Sequence, residues 1–446
     1  MSEANRSRVF YRHLKSEYPS ARTGAGAYIT DAAGKQYLDA SGGAAISCLG
    51  HGHPRIIAAI KNQLDNMAFA HTRFFTSSAA EELAATLSEK APGGAWRTYF
   101  LSGGSEVNEA AMKLTRQLQV ERGWKSRDTF IARQQSYHGN TIGALSLSGN
   151  PHRREVFEPV LMHHVRHVAP CYSYRLKEKG ESDDAYGRRA SAALGGEIAS
   201  LGEGRAIAFF AETVVGSTLG AVPPAPGYFK EIQRICDETG TLLVLDEVMA
   251  GMGRTGTLFS CEQDGIVPDM ISIAKGLGAG YQSIGALMVR DELADEIESG
   301  SGFFQHGHSY VGHPTACAAA LEVQRVFEDE GLIERCAKMG AKLRSALSEA
   351  FAGHPHVGDI RGRGLMLGIE FVADRQTKEP FDASRNVAAK LKARAMDNGL
   401  VCYPDNGTVD GERGDHVLIA PPFIITDAQI SELVEKLGKS IDEAIG

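Results

Sequence analysis

Through the middle of the chain, short apolar runs alternate with helix-patterned segments, and this rhythm restricts the fold more than any other feature. Runs bounded by turn residues fall at 97–101, 128–132, 143–147, 206–211, 241–245, 270–274 and 284–289. They are short and apolar enough to be buried strands. Between them Val107, Ala110, Ala111, Leu114 and Leu118 recur at helical spacing, and so do Phe229, Ile232 and Ile235 ahead of Gly240. This order predicts an α/β fold, and seven runs are a plausible number for a single sheet with helices between its strands. Ligands of such sheets gather at the carboxyl ends of the strands.

The flanks read differently. Helical patterns at 315–330, 333–351 and 384–398, with apolar pieces at 365–371 and 417–419, predict a second, smaller α+β unit shared with the first residues of the chain. The expected division is 1–75 and 321–446 for the small domain and 76–320 for the large one. A net charge of -8 gives no general attraction to nucleic acid or to an anionic membrane, which leaves small molecules as the expected partners. The seven cysteines are scattered with no C-x-x-C pair, residues 1–12 carry no apolar signal core, and no run reaches the ~20 apolar residues of a membrane span. The expected setting is cytoplasmic.

Residues 242–256, L-L-V-L-D-E-V-M-A-G-M-G-R-T-G, place Asp246 and Glu247 at the end of an apolar run. Gly251, Gly253 and Gly256 spell the dinucleotide fingerprint, but a carboxylate pair at the strand end opposes the approach of a pyrophosphate. Lys275 follows the next apolar run, 29 positions on, and opens the glycine-rich turn K-G-L-G-A-G. A lone lysine there reads equally as a side chain reaching out to water. Paired with Asp246 on a neighbouring strand end, it gains a chemical use: pyridoxal phosphate needs a lysine for its aldehyde and a carboxylate for its pyridine nitrogen. The glycines and serines of L-S-G-G-S-E, residues 101–106, open a helix whose first N–H groups suit a phosphate, or else Ser102 or Ser105 simply caps it. Tyr137 and His138 follow another run, where an aromatic ring can stack on a flat ligand or pack in the core.

In order along the chain, S-G-G-S-E, Y-H-G, A-E-T-V-V-G-S, L-D-E-V-M-A-G-M-G-R-T-G, I-A-K-G-L-G and H-S-Y-V-G-H-P-T-A resemble the class III (ω-type) pyridoxal-phosphate aminotransferases. The likeness runs from C-L-G-H-G-H-P near residue 50 to A-P-P-F at 420–423. It implies a fold-type-I architecture, with a large domain around a seven-stranded, mostly parallel sheet and a small domain from both termini. It also implies a homodimer or higher oligomer with shared active sites. By position, Lys275 corresponds to the Schiff-base lysine, Asp246 to the partner of the pyridine nitrogen, and Val248 to the residue under the ring. Gly104 and Ser105 correspond to the phosphate cup, and Tyr137, beside His138, to the stacking aromatic. Glu212 corresponds to the acid on the cofactor's hydroxyl side, and Ser309 to a hydroxyl reaching the phosphate from the partner subunit.

Within that family the resemblance points to the branch that moves amino groups from amines or ω-amino acids to pyruvate. Relatives using ornithine, acetylornithine or γ-aminobutyrate with 2-oxoglutarate carry an arginine in R-x-A-P where this chain has Leu418. Arg413, in a loop just upstream, is the expected substrate contact, with a solvated loop arginine as its plain alternative. Ala45, small where amine transaminases often carry an aromatic, suggests a roomy pocket. Racemase, lyase and decarboxylase chemistry remain open within the family. A nucleotide-dependent oxidoreductase and a histidine-based metalloenzyme are the readings outside it, and neither has the companion residues it needs.

Overall fold

The computed structural model describes residues 7–446; residues 1–6, the start of the polar N-terminal stretch, lie outside the described residues. Seven strands form the central sheet: β1 (Trp96–Leu101), β2 (Thr129–Arg133), β3 (Val165–Val168), β4 (Ala206–Glu212), β5 (Leu242–Asp246), β6 (Met270–Ile273) and β7 (Gly285–Arg290). Across the sheet they run β1-β7-β6-β5-β4-β2-β3. The pairs from β3 through β6 are all parallel, and β7 alone is antiparallel, wedged between β6 and β1. The centre of the sheet, β4 and β5, is buried along its whole length, as apolar runs without alternation require.

One expected strand is a helix. Residues 143–147 lie in the helix Ile142–Leu147, and every one of them is buried, so the two-residue alternation of A-L-S-L separates no faces. Ser146 Oγ donates to Ile142 O at 2.7 Å and Ser148 Oγ to Ala144 O at 2.9 Å, satisfying both hydroxyls inside the apolar surroundings. The seventh strand is β3 instead, V-R-H-V at the sheet's edge. Its single neighbour is β2, and its exposed Arg166 and half-buried His167 give it none of the apolar signal of an inner strand.

The smaller domain carries two more sheets. In one, the strands Ala21–Ala25, Tyr28–Asp31 and Gln36–Asp39 are completed by Leu400–Val401, which pairs parallel with Gln36–Asp39 and ties the C-terminal part of the chain to the N-terminal part. The other is antiparallel, in the order Val357–Arg363, Met366–Phe371, Asp415–Ile419, Tyr403–Asn406. Helices Leu332–Phe351, Val387–Asp397 and Asp427–Ile445 cover these strands, the last begun by a capping box between Thr426 and Gln429. The helix Pro314–Asp329 continues unbroken through residue 320 and packs on helices Pro54–Asn66 and Ser78–Lys90. All seven cysteines are buried free thiols, and among the described residues no helix is long and apolar enough to cross a membrane.

Candidate active site

Strand register sets the site. Glu212 at the end of β4 pairs with Asp246 at the end of β5, and Asp246 pairs with Ser272 on β6, so the three form a row across parallel strand ends. Lys275 stands three residues beyond Ser272, in the turn that leaves β6, with φ at 42°. That left-handed backbone is uncommon for a side chain with a Cβ and is the kind of strain that clusters at active sites. Asp246, Lys275 and Glu212 line one cavity of about 640 Å³ together with Ser102, Gly104, Ser105, Tyr137, His138 and Val248. Adjacent-strand placement, expected from the spacing of Asp246 and Lys275, is therefore realised.

Asp246 is held by three elements. Its Oδ1 accepts from Val248 N at 3.0 Å, while Oδ2 meets His138 Nδ1 at 2.8 Å and Asn108 Nδ2 at 2.9 Å. A carboxylate can only accept, so the His138 proton sits on Nδ1; Nε2 is buried without a partner. Asn108 also donates to His138 O at 2.7 Å and so braces the loop that carries the imidazole. Sequence reading missed Asn108. Its signal was an amide among the apolar positions of the helix Gly104–Glu121, a type that is buried only when it has hydrogen-bond work.

Burial lowers the Lys275 amine from its ordinary range to about 8, against the opposing pull of Asp246 and Glu212. Burial raises the Glu212 carboxyl, although its Oε1 accepts from Tyr137 N at 3.0 Å and its Oε2 from Gly216 N at 2.9 Å. The result is a nucleophilic amine and two fixed carboxyl groups around one volume.

At the other end of the cavity lies the start of the helix Gly104–Glu121. Gly103 is its N-cap and gives no side-chain cap, so neither Ser102 nor Ser105 plays the capping role left open by the sequence. Ser105 Oγ accepts from Asn140 N at 3.1 Å and links this turn to the Tyr137-His138-Gly139 loop. The helix start and its positive dipole end face the cavity through Gly103, Gly104 and Ser105. Gly104 is pressed on Val248: a Cβ at Gly104 would come within 2.8 Å of Val248 Cγ1.

Other expected residues fall outside this group. Ser309 is exposed, close to Tyr310 and apart from the lining of the cavity. Ala45 is buried with φ at 66°, and its neighbour Ile46 is the one that lines the cavity. Arg413 turns back on its own loop, with Nε donating to Asp410 Oδ2 at 2.7 Å, and is half exposed. The three glycines after Asp246 do not serve the cavity. A Cβ on Gly251 would meet Glu247 of the same turn, while one on Gly253 would meet Phe423 and Ile333 and one on Gly256 would meet Ala337, so the last two let the turn pass beneath the small domain.

The set fits pyridoxal phosphate. An uncapped helix start suits a phosphate, a carboxylate fixed in a buried row suits a ring nitrogen, and an amine lowered to about 8 suits an aldehyde. Comparison with known proteins agrees. The profile of the family described as Aminotransferase class-III matches residues 14–441. An uncharacterised aminotransferase of Schizosaccharomyces pombe is 42% identical over 437 residues, covering 98% of this chain and 95% of the relative. The chloroplastic γ-aminobutyrate transaminase 3 of Solanum lycopersicum is 34% identical over 423 residues, covering 94% of this chain and 79% of the relative. Among solved structures, a thermostable (S)-enantioselective omega-transaminase from Thermomicrobium roseum matches with a TM-score of 0.90 at 35% identity, over 97% of this chain and 94% of that one.

Proposed function

Because the chain belongs to the class III aminotransferases, which use pyridoxal phosphate, we propose that it moves the amino group of an amine or ω-amino acid to a keto acid, pyruvate foremost, in a ping-pong cycle. The observation that carries this branch is Leu418. It is fully buried in an apolar cluster with Val214, Ala221, Ala250 and Met366, at the position where the family resemblance implies an arginine in members that use γ-aminobutyrate with 2-oxoglutarate. With no fixed cation on that strand, an amine donor needs no carboxylate to be accepted.

When bound, the cofactor supplies an electron-withdrawing ring that stabilises negative charge on the carbon bearing the amine. With the cofactor in place, Lys275 would hold its aldehyde through the neutral amine and would serve as the base for the proton on the donor's amine-bearing carbon. Asp246, oriented by His138 and Asn108, would hold a proton at the ring nitrogen. Gly104 and Ser105 would hold the phosphate at the helix start, Val248 and Tyr137 would hold the ring between them, and Glu212 would stand on its hydroxyl side, all five lining the one cavity.

A homodimer completes the site in this reading, with Ser309 reaching the partner's phosphate. Exposed Phe69, Phe74, Phe75, Phe303 and Tyr310 support it, with the Phe69 and Tyr310 rings 5.7 Å apart. Seven buried thiols without disulfides suit a reducing cytoplasm. The test is a donor screen with pyruvate as acceptor: alanine forms in step with loss of donor amine and without free ammonia. Ammonia release, or inversion of the donor without alanine, would move the enzyme to lyase or racemase chemistry.

A further inference from the structure

A keto acid has a carboxylate to be recognised, yet Leu418 is apolar, and Arg413 meets Asp410 of its own loop and approaches Glu379 rather than any residue that lines the cavity. Two arginines carry charge that reaches the Lys275 amine, Arg254 and Arg153. Arg254 is fully buried and tied to the backbone, donating from Nη1 to Leu365 O at 3.1 Å and to Pro421 O at 2.6 Å, with its plane stacked on Phe423. It has no freedom to meet a substrate.

Arg153 is different. It sits on the short helix Pro151–Arg154, whose first turn is fixed by Asn150 Oδ1 accepting from Arg153 N at 3.1 Å. Its guanidinium carbon lies 4.8 Å from the centroid of the Tyr137 ring, and Tyr137 is a wall of the cavity. Nη2 donates to Asp405 Oδ2 at 2.8 Å, and among the described residues this is its single side-chain hydrogen bond. Nε and Nη1 are left free, and a guanidinium offers its donors in a planar fork that matches a carboxylate. The pair with Asp405 is partly exposed, 18% and 29%, so water screens it and it is readily exchanged.

We propose that Arg153 reads the substrate carboxylate in this site, with Asp405 as its partner when the substrate has none. The inference rests on the aminotransferase reading and names its acceptor class. A keto or ω-amino acid presents its carboxylate to the free edge of the guanidinium beside Tyr137. An uncharged amine or aldehyde finds Arg153 neutralised by Asp405, so one site takes both kinds of substrate without burying an unpaired charge.

The experiment compares pyruvate with propanal, an acceptor of the same chain length lacking the carboxylate, in the unmodified enzyme and in Arg153→Met, which keeps the stem against Tyr137. The expected result is a KM for pyruvate raised about 10- to 100-fold, the range for one lost charge-assisted pair, with the KM for propanal moved less than about threefold. Inhibition by butyrate, a carboxylate with no amine to transfer, weakens by a similar factor and gives a binding readout separate from turnover. Arg153→Lys recovers part of the pyruvate affinity, since charge returns without the fork.

Arg12, whose charge also reaches Tyr137, is the control. The proposal is overturned if Arg12→Ala carries the pyruvate effect in place of Arg153→Met. It is also overturned if Arg153→Met raises both KM values alike, or if butyrate inhibits the variant as before. Failure of the aminotransferase reading looks different, because the unmodified enzyme would then form no alanine from pyruvate with any donor.

Discussion

His138 Nδ1 donates to Asp246 Oδ2 across 2.8 Å in surroundings where neither side chain is more than 5% exposed. Asn108 gives the same oxygen a second donor from a different element. Asp246→Asn replaces an acceptor with an amide, and the new NH₂ group meets either the His138 N–H or the backbone N–H of Val248. The variant should lose about 10²- to 10⁴-fold in kcat, the scale of a misplaced acid–base group, while keeping its fold by circular dichroism. His138→Gln retains a donor near Asp246 and should lose only about tenfold. Half-reaction rates read from cofactor absorbance check both, and a kcat for Asp246→Asn within tenfold of the parent would sink the assignment.

Lys275 sets a pH dependence. Burial lowers its amine from 10.5 to about 8, so at pH ~7.5 roughly a quarter of the molecules carry it neutral, against about one in a thousand for an ordinary lysine. Capture of pyridoxal phosphate by the cofactor-free protein should quicken about tenfold per pH unit below 8 and level off above it. Glu212→Gln removes a charge that favours the ammonium and should move the midpoint further down. Between about 8 and 10.5 the unfolded chain holds the proton that the folded chain has lost, so stability of the cofactor-free protein rises with pH over that window. Stopped-flow absorbance gives the midpoint; a value near 10 would show an amine in ordinary solvent.

Gly104 tests the helix start. The Cβ of Gly104→Ala would lie 2.8 Å from Val248 Cγ1 and 3.0 Å from Cγ2. Valine's branch at Cβ leaves it little room to turn aside. The helix must move instead, and its N–H groups move with it, so cofactor affinity should fall about tenfold and the melting temperature by a few degrees. Gly103→Ala has open space around the new Cβ and should keep its melting temperature. Equal losses in the two variants would mean that contact with Val248 is not the cause.

The parts of the site legible in the sequence are those whose placement follows from strand order. Asp246 and Lys275 end neighbouring apolar runs, and a charged group there is costly enough to announce a use. Strand β3 was hidden because an edge strand buries little and can afford Arg166 and His167. Residues 143–147 misled because a short apolar run fits a strand or a buried helix equally well. Arg413 was the arginine expected at the substrate, and Arg153 drew no expectation from the sequence. The turn at Asp410 closes Arg413 onto its own loop, while a contact 252 positions away, from Arg153 to Asp405, holds the other arginine beside Tyr137. Side-chain choices made by long-range contacts leave no local pattern.

Glu370 joins the two domains and gives a stability prediction. It is fully buried on the strand Met366–Phe371, where it accepts from Arg361 Nη1 at 2.6 Å, from Arg175 Nε at 2.7 Å and from the Tyr172 hydroxyl. Arg361 in turn donates to Leu219 O and Gly220 O in the loop after β4. Burial alone would raise the Glu370 carboxyl, but the two guanidinium groups outweigh it and hold the carboxyl below the usual range. A carboxyl depressed in the folded state stabilises above its unfolded value near 4.5, and that contribution is lost as the pH falls through the folded value. Glu370→Gln removes the charge, leaves the buried Arg361 with Asp359 as its remaining carboxylate and takes the carboxylate from the half-buried Arg175, which should cost about 3 kcal/mol. Urea unfolding at neutral pH measures the loss. The difference between parent and variant should shrink in acid, as the parent's own carboxylate takes up its proton. A difference that stays constant down to pH ~3 would mean that the ion pairs contribute nothing and that packing alone holds this junction.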